Sequence, residues 1–160
     1  MVIMIKFFKS RSAFSIIMML LTAAYIGFIW FNSFQTADES ASKSLALVDI
    51  LNNFIKSLGL EQGVTDYMVR KSAHFCEFAL LGFLCTWTGR LQNKRILKNL
   101  TTIGFVCLAA AVTDEFIQYY PAGRSAQVND VVLDFTGAVT GLLIFLLIIG
   151  IIGLVKKIKR

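Results

Sequence analysis

The residues of this sequence that are able to do chemistry lie in three stretches that are otherwise strongly apolar. The first stretch contains His74, which is the single histidine of the chain, and Glu77 one turn further on. The second contains the adjacent acids Asp114 and Glu115, and the third contains Asp134. An imidazole that is oriented by a carboxylate can act as a general base or acid. These five residues are therefore the candidate catalytic residues.

Basic and amide side chains lie close to the candidate catalytic residues in the sequence and indicate a site for an anion. Arginine and lysine bind phosphate and carboxylate groups through charge-assisted hydrogen bonds. The candidate substrate-binding residues are Arg70, Lys71, Gln118 and Arg124, together with the acid Asp130. An imidazole and several carboxylates can also bind a divalent metal ion. The candidate ligands of such a cofactor are His74, Asp114, Asp130 and Asp134.

The composition of the chain indicates what kind of structure must position these residues. Hydrophobic residues make up 56% of the 160 residues and charged residues 16%, whereas a soluble domain carries roughly 25% charged residues. A disordered chain is excluded as well, because disorder requires low hydrophobicity and high charge. The length favours a single domain over residues 1–160. The sequence is therefore typical of a small integral membrane protein.

Four apolar stretches are long enough to cross a membrane as a helix, which takes about 20 residues. They cover approximately residues 13–31, 72–89, 100–119 and 131–155. Basic residues precede the first stretch, as they do in a signal peptide, but its apolar part exceeds the usual length of about 7–15 residues. We interpret it as a retained anchor. The predicted fold is an all-α integral membrane protein with four transmembrane helices.

The distribution of lysine and arginine predicts how these helices are oriented, because short cytoplasmic segments are enriched in both residues. Basic residues cluster before the first span, between the second and third spans, and after the fourth. They are Lys6, Lys9, Arg11, Arg90, Lys94, Arg95, Lys98, Lys156, Lys157, Lys159 and Arg160. Both termini are therefore predicted to be cytoplasmic. The same placement explains the net charge of +6 without a nucleic-acid partner.

The first outer connection, over about residues 36–60, has the features of an amphipathic helix. Apolar residues recur in it at helical spacing, for example Leu45, Val48 and Leu51. The segment that begins at Thr36 fits a capping box, which is a signal for the start of a helix, and Gly59 is a plausible end. We interpret the segment as a connector that lies on the outer membrane surface, with a lid over the site as the alternative.

In the predicted topology the ionisable residues of the last three spans lie at one depth, in the outer half of the membrane. Charged residues inside a span are costly and normally face the bundle interior or a water-filled cavity. Arg70, His74 and Glu77 are separated by four and three residues and so share one face of a helix. We therefore expect these spans to bring their charges together in one outward-facing polar site.

The two adjacent acids of the third span cannot both face that site. Asp114 and Gln118 are one helical turn apart and share a face. Glu115 is rotated by about 100° from Asp114 around the helix. We expect one of the two acids to pair with Arg124 or Lys71 instead.

The fourth span places small residues beside its acid. Asp134 shares a face with Gly137 and Gly141, and Asp130 precedes it by one turn. Glycines at this spacing allow another helix to approach closely. We expect such an approach to press Asp134 against the neighbouring spans.

Four short motifs of the sequence, taken together, are similar to those of a known family. They are Lys71-Ser-Ala-His-Phe-Cys-Glu-Phe, Asp114-Glu-Phe-Ile-Gln, Gly123-Arg124 and Asp130-x-x-x-Asp134-x-x-Gly137-x-x-x-Gly141. Over roughly residues 66–146 the chain resembles the VanZ-like family of bacterial membrane proteins. The resemblance implies a multi-pass protein of the bacterial cytoplasmic membrane and a link to resistance against teicoplanin, a glycopeptide that acts at the outer face of that membrane. It implies no particular reaction.

The residues and the resemblance together predict an outward-facing site for a molecule of the cell envelope. The protein is expected to bind or process an envelope lipid, a lipid-linked cell-wall precursor or a lipophilic glycopeptide. One alternative is a metal-dependent or acid–base membrane enzyme that uses the same residues. The others are a transport component and a structural protein whose buried ion pairs lock the helices. Buried ion pairs are a poor means of stabilisation because they cost desolvation, which favours a functional site.

Overall fold

The computed structural model describes residues 2–60, 62–92 and 96–159. In these ranges the chain forms five α-helices and one short 3-10 helix, and contains no strand. The α-helices are α1 (Val2–Ser33), α2 (Ala37–Ser57), α3 (Asp66–Gln92), α4 (Leu100–Gln118) and α5 (Val128–Ile158), and the 3-10 helix Ile96–Lys98 precedes α4. The prediction of an all-α protein is confirmed.

Three of the described helices are long and apolar enough to cross a membrane. They are the segment Ala13–Ser33 of α1, the whole of α4 and the whole of α5. The helix α3 contains the second predicted span but is not among them, because charged residues in its first half lower its hydropathy. The described residues therefore contain three candidate spans, and the fourth span stays a prediction.

Several of the basic residues that predict the orientation of the helices in the membrane are not described by the structure. Lys94, Arg95 and Arg160 are not among the described residues, and the side chains of Lys6, Lys9 and Arg11 are not described. The cytoplasmic position of both termini therefore stays a prediction.

The helix α3 lies at the centre of the bundle and contacts each of the other four α-helices. Its buried side chains Phe78 and Leu81 form the core with Ile29 of α1 and Ala111 of α4. Hydrogen bonds also join α1 to its neighbours. The Trp30 indole donates to the carbonyl of Ala110 over 3.3 Å, and the Tyr25 hydroxyl donates to the carbonyl of Glu77 over 3.2 Å.

The most extensive helix contact joins α3 to α5 at glycine positions. A Cβ atom added at Gly137 would lie 2.5 Å from the carbonyl oxygen of Phe75 on α3. A Cβ atom at Gly141 would collide with the backbone of Ala79 on the same helix. The predicted close approach at these two glycines is confirmed, and the helix that approaches is α3.

The helix α2 begins and ends where the sequence predicts. The Thr36 hydroxyl accepts a hydrogen bond from the backbone N–H of Glu39 over 3.3 Å, and the Glu39 carboxylate accepts one from the N–H of Thr36 over 3.0 Å. This capping box also lowers the pKa of Glu39, because the Thr36 backbone and hydroxyl hydrogen bonds stabilise the carboxylate. The helix ends at Ser57, just before Gly59, whose φ is +78°.

Several contacts hold α2 against the rest of the chain. The Ser44 hydroxyl donates to the Asp66 carboxylate at the start of α3, and Val48 is buried. The backbone N–H of Ala37 donates to the carbonyl of Ala122, in the connection between α4 and α5, over 3.2 Å. The helix therefore covers one end of the bundle. We call this end, where α1 and α4 finish and α3 and α5 begin, the α2 end.

Replacing Gly141 by alanine should destabilise the protein by about 1–3 kcal/mol, because the added methyl group overpacks the contact with α3. The measurement is urea or thermal unfolding of the purified protein in detergent micelles. Gly150→Ala is the matched control, since it lies on the same helix and its Cβ would meet no atom within 4 Å. Equal stability of the two variants would contradict the packing at Gly141.

Candidate functional site

One residue from each of α3, α4 and α5 meets at the α2 end of the bundle. His74, Asp114 and Asp134 each offer a nitrogen or oxygen atom, and these atoms lie within 4.8 Å of one another. The distance from Nδ1 of His74 to Oδ2 of Asp114 is 3.9 Å. Asp114 is 0% exposed and Asp134 is 1% exposed, so both acids lie inside the protein. We call these three residues the triad.

Two neutral donors hold the carboxylate of Asp114 in place. Its Oδ1 atom accepts a hydrogen bond of 2.6 Å from the hydroxyl of Ser33, the last residue of α1. Its Oδ2 atom accepts one of 2.7 Å from the amide of Gln118, one turn further along α4. The predicted common face of Asp114 and Gln118 is confirmed. Both oxygens of Asp114 are therefore fixed by hydrogen bonds.

The other two members of the triad lack such partners. Both carboxylate oxygens of Asp134 and the Nδ1 atom of His74 are buried. Among the described residues, none of these three atoms has a hydrogen-bond partner. A buried polar atom without a partner costs about 1–3 kcal/mol. The triad therefore contains polar atoms that a bound group would satisfy.

Glu77 lies beside the triad and completes the stripe that the sequence predicts on α3. Its Oε1 atom accepts a hydrogen bond of 3.3 Å from the amide of Asn32. Arg70, His74 and Glu77 line the same cavity, which confirms that they share one face. The stripe therefore faces the site along the first half of α3.

Glu115 does not face the triad, and its partner differs from the one expected. Its Oε2 atom accepts a hydrogen bond of 2.9 Å from the backbone N–H of Gln127, the residue that precedes α5. The expectation that one acid of this pair would bind Arg124 or Lys71 is wrong for the described residues, because neither forms an ion pair with Asp114 or Glu115. The rotation of about 100° between adjacent helical residues turns Glu115 towards the start of α5.

Asp130 is not a member of the triad, although the sequence makes it a candidate metal ligand. Its carboxylate forms an ion pair with Lys71, whose ammonium group also lies 5.5 Å from the centre of the Tyr67 ring. Asp134 reaches the triad instead, one turn deeper along α5. A helical turn separates the two acids by about 5–6 Å, so only one of them can reach the triad.

The cations of the site differ in their partners. Arg70 forms an ion pair of 3.2 Å with Asp66. Arg124 is partly buried and has no ion pair among the described residues. Burial lowers the pKa of the Arg124 guanidinium, because removal from water disfavours its charged form. Arg124 is therefore the cation that would gain most from an anionic ligand.

Two cavities open at the α2 end and share part of their lining. One has a volume of about 310 Å³ and lies between α2 and α3. The other has a volume of about 240 Å³ and extends to the connection between α4 and α5. The residues common to both are Ser40, Arg70, His74 and Arg124. Ligand pockets measure about 300–1,000 Å³, so the larger cavity lies at the lower end of this range and the smaller one below it. Their size suits a polar head group and not a whole lipid.

The opposite end of the bundle has a different character. A cavity of about 280 Å³ lies there between α1, α3 and α4, and its described lining contains no acidic or basic side chain. Hydrogen bonds among its lining residues join the hydroxyls of Thr22 and Thr88 over 2.9 Å, and the Asn99 amide to the carbonyl of Gly89 over 2.8 Å. The charged site is therefore confined to the α2 end.

Sequence reasoning missed several polar residues of this site, among them Asn32, Ser33, Ser40 and Lys43. Ser33 and Asn32 hydrogen-bond to Asp114 and Glu77, and Ser40 and Lys43 line the larger cavity. The first two follow directly on the apolar part of the first span, at the end that the predicted topology places on the level of the triad. Their depth in the predicted topology is the feature of the sequence that could have identified these two residues. The last two lie on α2, whose contact with α3 has no signature in the sequence.

Comparison with known proteins gives one match. The family model of VanZ/LLP1 matches residues 14–149, a segment that contains the triad and every other predicted site residue. No curated protein and no solved structure matches the chain. The match covers far more than half of the 160 residues and agrees with an all-helical fold that has three candidate membrane spans. This membrane protein therefore belongs to the VanZ/LLP1 family.

Proposed function

We propose that the protein binds the phosphate-bearing head group of an envelope lipid or of a lipid-linked cell-wall precursor at the α2 end. The observation that carries the proposal is the environment of Arg124, which is partly buried, has no ion pair among the described residues and lines both cavities. A guanidinium group binds phosphate through two parallel hydrogen bonds. An anion in either cavity would offset the cost of burying this charge.

Further cations surround the same space. Arg70 lines both cavities, and its ion pair with Asp66 leaves other N–H donors of its guanidinium for a ligand. Lys43 lines the larger cavity, where its ammonium group donates to the amide oxygen of Gln35 over 2.9 Å. The larger cavity is therefore bordered by a cation of α2, a cation of α3 and Arg124 of the connection between α4 and α5.

The predicted topology supports a ligand that approaches from the outer leaflet. With four spans, the α2 end faces outwards and α3 crosses the membrane while the other helices shield its charges. Exposed apolar residues of α2, such as Leu47, Ile50 and Phe54, would then contact the membrane interface. A lipid in the outer leaflet of the bacterial cytoplasmic membrane could place its head group in the cavities while its chains remain in the bilayer.

A purely structural role of the charges has less support. A network of ion pairs that locks the helices together would pair the buried acids with arginine or lysine. The described ion pairs of arginine and lysine instead lie at the edge of the site, where Arg70 binds Asp66 and Lys71 binds Asp130. The buried acids Asp114 and Asp134 form no ion pair with arginine or lysine among the described residues. Such an arrangement is costly for stability, so a network that locks the helices does not explain it.

Arg124→Ala should weaken the binding of polyprenyl phosphate roughly 10- to 100-fold, because a hydrogen bond to a charged group contributes about 1.5–3 kcal/mol. The affinity is measured by microscale thermophoresis on the purified protein in micelles. Polyprenol is the matched neutral ligand and should bind more weakly than the phosphate. Phosphatidic acid and diacylglycerol form a second pair, which tests a glycerolipid as the source of the phosphate.

Lys157→Ala is the control variant for this measurement, since it removes a cation from the opposite end of α5 and should leave the affinity unchanged. If polyprenol binds as tightly as polyprenyl phosphate, and diacylglycerol as tightly as phosphatidic acid, the phosphate is not the recognised group. Unchanged affinity of Arg124→Ala would also contradict the proposal.

Membership of the VanZ family links the chain to teicoplanin resistance at the level of the family. Expression of the protein in a susceptible bacterium should therefore raise the lowest concentration of teicoplanin that inhibits growth. Asp114→Ala and Arg124→Ala should return this concentration to the value of cells without the protein, at equal protein levels in the membrane. Full resistance in both variants would contradict the proposal that this site is required for resistance. Loss of resistance together with loss of the protein would support the structural alternative.

A further inference from the structure

We propose that the triad of His74, Asp114 and Asp134 binds a divalent transition-metal ion of the Zn²⁺ class. The three residues come from three different helices and direct one nitrogen and two oxygen atoms to a common point, with all of them within 4.8 Å of one another. The ligand atoms of one Zn²⁺ ion lie about 3–4 Å apart, given metal–ligand distances of about 2.0–2.2 Å. Side-chain movements of about an ångström would therefore close the site around an ion.

The state of Asp134 is the independent observation that points to a ligand. Its side chain is 1% exposed, and neither of its oxygens has a hydrogen-bond partner in the part of the chain that the structure describes. The Nδ1 atom of His74 is also buried without a partner there. Native proteins rarely leave such atoms unsatisfied. A metal ion would satisfy the nitrogen and at least one carboxylate oxygen at the same time.

The surroundings of Asp114 resemble the outer shell of a metal site. Carboxylates that bind metals are commonly oriented by hydrogen bonds from further residues, and loss of such a residue weakens metal binding by about 10- to 100-fold. Ser33 and Gln118 supply these hydrogen bonds to Asp114 over 2.6 and 2.7 Å. They fix the direction of the carboxylate before any ion arrives.

The charge balance favours a dication over a basic side chain. The nearest lysine, Lys71, is engaged by Asp130, and Arg70 is engaged by Asp66. The two carboxylates of the triad therefore have no lysine or arginine as an ion-pair partner among the described residues. A divalent cation would balance both charges. The imidazole ligand favours Zn²⁺ over a hard ion such as Mg²⁺, which prefers oxygen ligands.

Three protein ligands leave coordination positions open on such an ion. Sites of this kind usually bind water or a substrate oxygen at the open position, whereas structural zinc sites have four protein ligands. His74 lines both cavities together with Arg124. The ion and the guanidinium group could then share one phosphate head group, a point that rests on the proposed function, whereas metal binding itself does not.

The test is equilibrium dialysis of the full-length protein, purified in micelles through a tag without histidine and treated with a chelator beforehand. Bound metal is measured by plasma mass spectrometry with Zn²⁺, Mn²⁺ or Mg²⁺ as the sole added ion. We expect saturable binding of about one ion per chain, tightest for Zn²⁺ and weakest for Mg²⁺. The absence of saturable Zn²⁺ binding would overturn the proposal.

Variants identify the ligands. Asp134→Asn and His74→Ala should weaken Zn²⁺ binding by more than about 100-fold, and Ser33→Ala by about 10- to 100-fold, since it removes only an orienting hydrogen bond. The matched control is Asp130→Asn, which changes an acid one turn away on the same helix and should keep the affinity of the wild type. An equal loss in Asp130→Asn and Asp134→Asn would refute the assigned ligand set.

A spectroscopic measurement on the wild type covers the case in which a triad variant does not fold. The chain has a single histidine, so pulsed paramagnetic resonance of bound Mn²⁺ should show coupling to an imidazole nitrogen, which in this chain can only belong to His74. A spectrum without nitrogen coupling would overturn the proposal. Arg124→Ala should not weaken Zn²⁺ binding, which separates failure of the metal site from failure of head-group binding.

Discussion

The structure depends on the burial of two carboxylates, Asp114 and Asp134, inside a bundle of largely apolar helices. Such burial is costly unless hydrogen bonds or counter-charges compensate it. The chain compensates Asp114 with the hydroxyl of Ser33 and the amide of Gln118, both neutral donors. The close contact at Gly137 brings α5 against α3, so that Asp134 reaches the same place. The glycines and the acids are therefore parts of one arrangement.

The central position of α3 explains why it can be less apolar than α1, α4 and α5. It contacts α1, α2, α4 and α5, so protein covers much of its surface. A polar side chain is tolerated in a membrane where it faces protein or a water-filled cavity. The charges of α3 lower its hydropathy below that of a typical span, and the same charges line the two cavities.

The sequence predicts the helices, the capping box at Thr36 and the shared face of Arg70, His74 and Glu77, because these depend on spacing along one helix. It does not predict the contact of Ser33 with Asp114, since the pairing of helices is not encoded in any single span. Spacing also cannot choose between Asp130 and Asp134. Both lie on one face of α5, and their depth relative to Lys71 decides which of them enters the triad.

The charged residues at the edge of the site differ in their pairing from those buried further in. At the edge, Asp66 and Asp130 form ion pairs with Arg70 and Lys71. Further in, Arg124 and the acids of the triad keep charges that no described ion pair with lysine or arginine balances. A network selected for stability alone would pair the buried charges first, because their desolvation costs most. The reverse order here is expected of a site whose charges are completed by what it binds.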